Sequence, residues 1–281
     1  MLDNLCLPRN LAGVSPGEEI RLGLKLQYDG SGFFGWQAQK QERTVQGELE
    51  TAVAHLTGGR RTVLGAGRTD RGVHARGQVA AVTVPARWEP SEFRRAANAV
   101  LPRDVWVEEA RRVPDGFHPR YDAISRTYIY RVGLAEEASS PFRRPWCWPL
   151  RGAVDVSALE AAAAQIPGER SFAPFAKAGQ PERGDRCHVY RAAWSRWEDV
   201  GLSFEITANR YLHHMVRYLV GTMLDVARGR RPLAELIALL EPPAPGLETS
   251  PPAPPEGLFL TRVSYPPEIW PEATPEPERE A

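Results

Sequence analysis

Hydrophobic and polar residues alternate from position 20 to 28, with Ile20, Leu22, Leu24, Leu26 and Tyr28 on one side, the period of a half-buried strand. A loop rich in glycine and aromatic residues follows, DGSGFFGWQAQ. From Thr44 the period changes: Val45, Leu49, Val53 and Leu56 recur at helical spacing, and Gly58-Gly59 closes the helix. Residues 63–65 and 78–84 are expected as strands on either side of the loop RTDRGVHARG, 91–100 as a helix stopped by Leu101-Pro102, and 105–113 as a strand.

The mixture then repeats. Residues 125–132 predict a strand, and 156–166 an alanine-rich helix ended by Pro167-Gly168. Two strands, 189–197 and 201–208, suggest a hairpin around Glu198-Asp199. The clearest helical pattern spans 211–227, with Leu212, Met215, Val216, Leu219, Met223 and Val226 along its apolar stripe. A last short strand is expected at 258–263. The implied fold class is α+β: two similar halves, each a mostly antiparallel sheet flanked by helices, their sheets meeting at a central basic cleft. The division that follows is an N-terminal extension (1–19), an N-terminal α+β domain (20–115) carrying the glycine-rich loop and a C-terminal α+β domain (116–266). Residues 242–256 and 266–281 are rich in Pro and Glu and predict a loop and, from 267, a disordered acidic tail.

Composition modifies this picture in two places. No apolar run approaches the roughly 18–20 residues of a membrane span, and the N-terminus lacks the pattern of a signal peptide, so the default location is cytoplasmic. Cys6, Cys147 and Cys187 are odd in number and show no CxxC spacing, which argues against a disulfide framework or a structural zinc site. The formal net charge is zero, but the charge is unevenly spread. Residues 60–76 carry five Arg against one Asp, 111–131 five Arg against two Asp, and 205–231 five Arg against two acids. Arginine forks suit phosphate oxygens, and three basic clusters that converge in space would suit a nucleic acid.

The segment GAGRTDRGVHARGQVA, residues 65–80, carries the most chemistry. Its glycines allow tight turns, and they frame Arg68 and Asp70, which project to one side if the piece is extended. A guanidinium beside a carboxylate favours its charged, nucleophilic form. The same pair could equally staple a surface turn. Arg126, Tyr128 and Tyr130 share a strand face, so Tyr128 is either an aromatic platform flanked by positive charge or a core tyrosine. Arg210, His213, His214 and Arg217 fall off the apolar stripe of the 211–227 pattern, giving a face that contacts phosphate or is simply solvated. His74 has no evident carboxylate partner, and Phe33, Phe34 and Trp36 are packing residues or a platform. No nucleotide-cofactor motif is present, and neither a cofactor nor a metal is expected.

This glycine-framed loop resembles the signature of the pseudouridine synthases, and in detail that of the tRNA pseudouridine synthase I family. The likeness extends through LKLQYDGSGFFGWQAQ (24–39), RTVQGELE (43–50), GFHPRYDAISRTYIY (116–130), FEITANRYLHHMVRYLVGTMLDVARG (204–229) and GLFLTRVSYP (257–266). It implies isomerisation of uridine to pseudouridine at positions 38, 39 and 40 of the tRNA anticodon arm, without cofactor, by a homodimer that binds one tRNA across both subunits. Residue by residue, it implies that Asp70 is the catalytic carboxylate and Arg68 the arginine that orients it. Tyr128 would stack on the target base, Arg217 would pair with the aspartate or contact RNA, and Leu258 would pack at the floor of the site. Arg71, His74, Arg76, Arg126, Arg210 and His214 are candidate RNA contacts. The chain departs from the family pattern at Pro119, Tyr121, His213 and Phe259; His213 stands where arginine is common. Two other classes compete with this reading: a non-catalytic RNA-binding module, and a glycosidase-like hydrolase, which usually needs a second carboxylate absent from this loop.

Overall fold

The computed structural model describes residues 17–177, 184–241 and 244–271. Ten strands form one sheet: β1 (Glu19–Tyr28), β2 (Leu64–Gly65), β3 (His74–Pro85), β4 (Val105–Arg112), β5 (Ser125–Gly133), β6 (Trp148–Pro149), β7 (Gly168–Ser171), β8 (Arg186–Trp197), β9 (Gly201–Ala208) and β10 (Leu258–Ser264). Among the described residues five α-helices accompany it: α1 (Val45–Thr57), α2 (Pro90–Val100), α3 (Val156–Ala163), α4 (Met215–Ala227) and α5 (Leu233–Leu240). The α+β class expected from the sequence holds.

The sheet runs β4-β1-β3-β10-β5-β9-β8-β7, with β2 also on β3 and β6 on β5. The two halves therefore meet edge to edge, and β10 is the strand between them. It pairs parallel to β3 (Phe259 opposite His74) and antiparallel to β5 (Leu258 opposite Tyr130). Gly77 of β3 allows the close approach at this seam, since a Cβ there would lie 2.2 Å from the Thr261 carbonyl oxygen.

Local chemistry accounts for the element ends. Thr44 caps α1 by accepting the Gly47 N–H, and Gly58 terminates it at φ 74°, a left-handed conformation open to glycine. The β8–β9 hairpin turns at Glu198, φ 49°. Leu22, Leu24 and Leu26 of β1 are 0–1% exposed and form part of a core that continues through Tyr130, Phe204, Leu219 and Met223. The helix α5 has no counterpart in the sequence-based expectations.

Two expectations need correction. The helix expected over 211–227 begins only at Met215, because His214 adopts φ 65° and breaks the turn that would precede it. The tail expected to be disordered from 267 is packed at its start. Pro266 accepts the N–H groups of Ile269 and Trp270, and Trp270 is buried against Tyr265 and Phe117, with the Arg111 guanidinium 4.4 Å from its ring. Gly23 of β1 leaves the space the ring fills: a Cβ there would sit 2.5 Å from it. Residues 272–281 of that tail lie outside the described residues. Trp270→Ala is expected to cost about 3 kcal/mol of stability in urea unfolding; a change below about 0.5 kcal/mol, the size of an ordinary surface substitution, would mean the ring only rests on the surface. No helix of the described residues is long and apolar enough to cross a membrane.

Candidate active site

The loop between β2 and β3 hangs from a buried polar knot. Tyr28, its hydroxyl pushed up to about 12 by burial, shares a hydrogen bond of 2.8 Å with Thr69. Gln78 donates to the Gly67 carbonyl at 2.9 Å. The Thr69 carbonyl accepts the Trp36 N–H, and the Asp70 carbonyl accepts the Val73 N–H across a turn whose third residue, Gly72, has φ 79°. Those bonds fix the backbone of Asp70 while leaving its side chain free to point outward. It points into a cleft of about 1400 Å³ built from both halves of the chain.

Residues from the second half close on the Asp70 carboxylate. His213 Nε2 lies 3.2 Å from Oδ1, His214 Nε2 3.2 Å from Oδ2, and the Arg217 guanidinium 3.4 Å from Oδ2. Arg217 is itself held by donating from Nε to the Ala253 carbonyl at 2.7 Å. Thus the Pro-rich segment before β10 is packed on α4 and aims this side chain. Consecutive residues of a helix diverge by about 100°, so His213 and His214 could not both reach Asp70 as helical residues. The left-handed conformation of His214 makes their convergence possible. Burial lowers the proton affinity of His214, with Arg217, His213 and Lys177 acting in the same direction and Asp70 opposing them. At neutral pH the His214–Asp70 contact is therefore a hydrogen bond from a neutral imidazole.

Tyr128 stands on β5 beside this cluster, buried, with its ring edge-on to Tyr211 at 4.9 Å. The Tyr211 hydroxyl donates to backbone carbonyls of Ile206 and Arg126, so the lower ring is fixed from two strands. Gly67 leaves room above Tyr128: the nearest atom to a Cβ there would be the Tyr128 hydroxyl, 4.0 Å away. Leu258 lines the same cleft, as do Arg68, Arg71, Arg126, Arg210 and His214. Asp70 is the single acidic side chain among the described residues that line it.

The expected site residues thus separate into three groups. Asp70, Tyr128, Arg217, Leu258 and His214 converge. Arg68 lines the cleft but is exposed and has no ion pair with Asp70 among the described residues; the side chains on the carboxylate are those of His213, His214 and Arg217. Arg71 stacks over the partly exposed Phe34 ring at 4.1 Å, while Phe33 and Trp36 are core residues. Arg210 reaches backbone carbonyls of Arg186 and Gly184 at the rim.

His74, Arg76 and Arg126 lie elsewhere or do something else. Successive strand residues face opposite sides of a sheet, and Phe259 with His74 and Arg76 lines a separate cleft of about 570 Å³ away from Leu258 and Asp70. His74 is buried there, stacked on Phe259, and it does have a carboxylate neighbour: its Nδ1 lies 3.2 Å from Asp29 as well as 3.1 Å from the Gly30 N–H. Arg126 is 9% exposed, and its guanidinium donates to the carbonyls of Ala66, Asn209, Ala123 and Arg120. It clamps the strand before the Asp70 loop to the second half. His118 is a neutral acceptor at Nδ1 for the Arg120 N–H, its proton affinity lowered by burial. Sequence reasoning missed His213 as a partner of Asp70 and Lys177 in the cleft wall; the His-His pair directly before an apolar helix was the available signal.

A family model described as tRNA pseudouridine synthase matches residues 26–122 and 162–266. The proteins named tRNA pseudouridine synthase A from Moorella thermoacetica and Roseiflexus sp. (strain RS-1) are 39% and 40% identical to the chain over 246 and 249 residues. Those alignments cover 87% of the chain and 99% and 90% of the relatives. The protein of that name from Geobacter sp. (strain M21) is 36% identical over 243 residues, covering 86% of the chain and 98% of the relative. The chain belongs to the tRNA pseudouridine synthase family. It is an isomerase that acts on tRNA.

Proposed function

We propose that the chain isomerises uridine to pseudouridine in the anticodon arm of tRNA, at positions 38, 39 and 40, with Asp70 as the nucleophile. The observation that carries this reading is a lone carboxylate deep in an otherwise cationic cleft, beside an aromatic ring. A base stacked in a helical arm cannot reach such a carboxylate, so the target uridine is flipped out of its stack. Tyr128 then supports the uracil ring, and Leu258 packs beneath it. Asp70 attacks C1′ of the ribose or C6 of the base, and the N1–C1′ bond breaks. The uracil turns over Tyr128 and C5 bonds to C1′. The bond to the Asp70 oxygen breaks and returns the free carboxylate, and the C5 proton is lost while N1 takes one up, which restores the conjugated ring. The product is an isomer of the substrate, so the balance requires no redox partner and no nucleotide.

The same reading places the enzyme in the cytoplasm as a homodimer, one tRNA lying across both subunits, with Arg68, Arg71 and Arg210 contacting phosphates. Tritium release from tRNA transcripts labelled at C5 of uridine, with the modified positions mapped afterwards, tests it directly. Release confined to positions 38–40 is the expected result; release mapping to another arm would overturn the assigned target. Binding of tRNA is expected to weaken steeply with salt, because each neutralised phosphate contributes a slope of roughly −0.7 to −0.9 in log K against log salt. A flat response would remove the basic-cleft argument.

A further inference from the structure

Asp70, His213 and His214 are also a group of three potential metal ligands among the described residues. One ligand atom from each lies within 4.8 Å of the other two. Both Asp70–His Nε2 separations are 3.2 Å. A tetrahedral shell with bonds of about 2.0–2.1 Å to nitrogen and oxygen has edges of about 3.3 Å. Whichever carboxylate oxygen is the ligand, one such edge is already formed, and the second imidazole lies on the other oxygen of the same carboxylate. No described residue hydrogen-bonds Nδ1 of either ring, so each imidazole can move its proton from Nε2 to Nδ1 as an ion replaces the bond to Asp70, and offer Nε2 as a lone pair. All three side chains are partly exposed to the cleft, which gives an ion an entry path.

We propose that these three residues bind a divalent transition-metal ion of the Zn2+ and Co2+ class, and that the bound ion blocks the enzyme. The ligand set is two nitrogens and one carboxylate oxygen, which suits such borderline ions. Mg2+ keeps oxygen ligands and several waters, so the cation that accompanies folded RNA is not captured. The Arg217 guanidinium, 3.4 Å from Asp70, and Lys177 in the cleft wall oppose a cation and hold the affinity to a moderate, reversible level. Bound to the ion through one oxygen, the Asp70 carboxylate has its charge drawn to the metal and the cleft beside it filled, so it no longer attacks the substrate. This inhibitory consequence rests on the role of Asp70 proposed above; the binding site itself does not.

The test titrates the full chain with Co2+ and follows the visible absorption of a tetrahedral site, then displaces it with Zn2+. Turnover of tRNA is measured in parallel with Zn2+, before and after a chelator. One Co2+ per chain is expected, with affinity falling at least tenfold in each of Asp70→Asn, His213→Gln and His214→Gln, all checked for native circular dichroism. Saturating tRNA is expected to suppress the band, and Zn2+ inhibition is expected to be reversed by the chelator. A band that survives all three substitutions, or no band at all, overturns the site. A band lost in the variants, with turnover untouched by Zn2+, leaves the site standing but overturns the inhibition and the nucleophile assigned to Asp70.

Discussion

Asp70→Asn is expected to leave the fold and tRNA binding in place and to reduce turnover by at least about 10³-fold, the scale on which removal of a single reacting group acts. Asparagine has the same shape, and its remaining oxygen still accepts from one of the donors that now hold the carboxylate. The Arg217 guanidinium keeps its bond to the Ala253 carbonyl. What disappears is the anionic oxygen to which the proposed covalent step is assigned. The measurement is single-turnover tritium release at saturating enzyme, with tRNA affinity followed separately by gel shift. A fall in affinity that matches the fall in rate would make Asp70 a binding residue. Equal release by both proteins would exclude it as the nucleophile.

Arg126→Ala is expected to have its effect on stability instead, a loss of about 3–5 kcal/mol, the range for breaking a buried charged network. Four carbonyls from three parts of the chain lose their donor, and each buried unpaired acceptor costs about 1–3 kcal/mol where water does not replace the bond. Arg126→Lys restores only part of it, since an ammonium has three donors and no planar fork. Urea midpoints measure the loss, and the salt slope of tRNA binding provides the second reading. A phosphate contact would show the reverse result: stability unchanged, and the slope smaller by roughly one contact's share.

That contrast marks the limit of what the residue string reveals. Arg126 and Tyr128 alternate on one strand face as expected, and the pattern cannot tell a guanidinium facing solvent from one sunk among carbonyls, because those carbonyls come from residues 66, 120, 123 and 209. The apolar stripe of 211–227 continues through residues that are not helical. Leu212 is buried either way, and nothing in the letters His-His announces a positive φ without glycine. By contrast, strand β1, helix α1 and the β8–β9 hairpin were legible, since their signals are local. The glycine-framed Asp70 loop was legible for the same reason. Its partners were less so: the expected neighbour Arg68 is two residues away, and the actual ones are some 140 residues distant in sequence.

The place of β10 between β3 and β5 has a consequence for the order in which a chain leaving the ribosome acquires its structure. Translation delivers the two strands that β10 joins more than a hundred residues before β10 itself. Until then the His74–Ala75 end of β3 and the Ser125–Tyr130 edge of β5 lack a partner, and a partly made chain is exposed to pairing with the wrong strand. The seam is closed by a segment that emerges after both of the strands it joins, and that segment brings Leu258 into the cleft as it docks. A nascent chain stalled before residue 258 therefore has the strands of both halves with no strand between them to join them in one sheet.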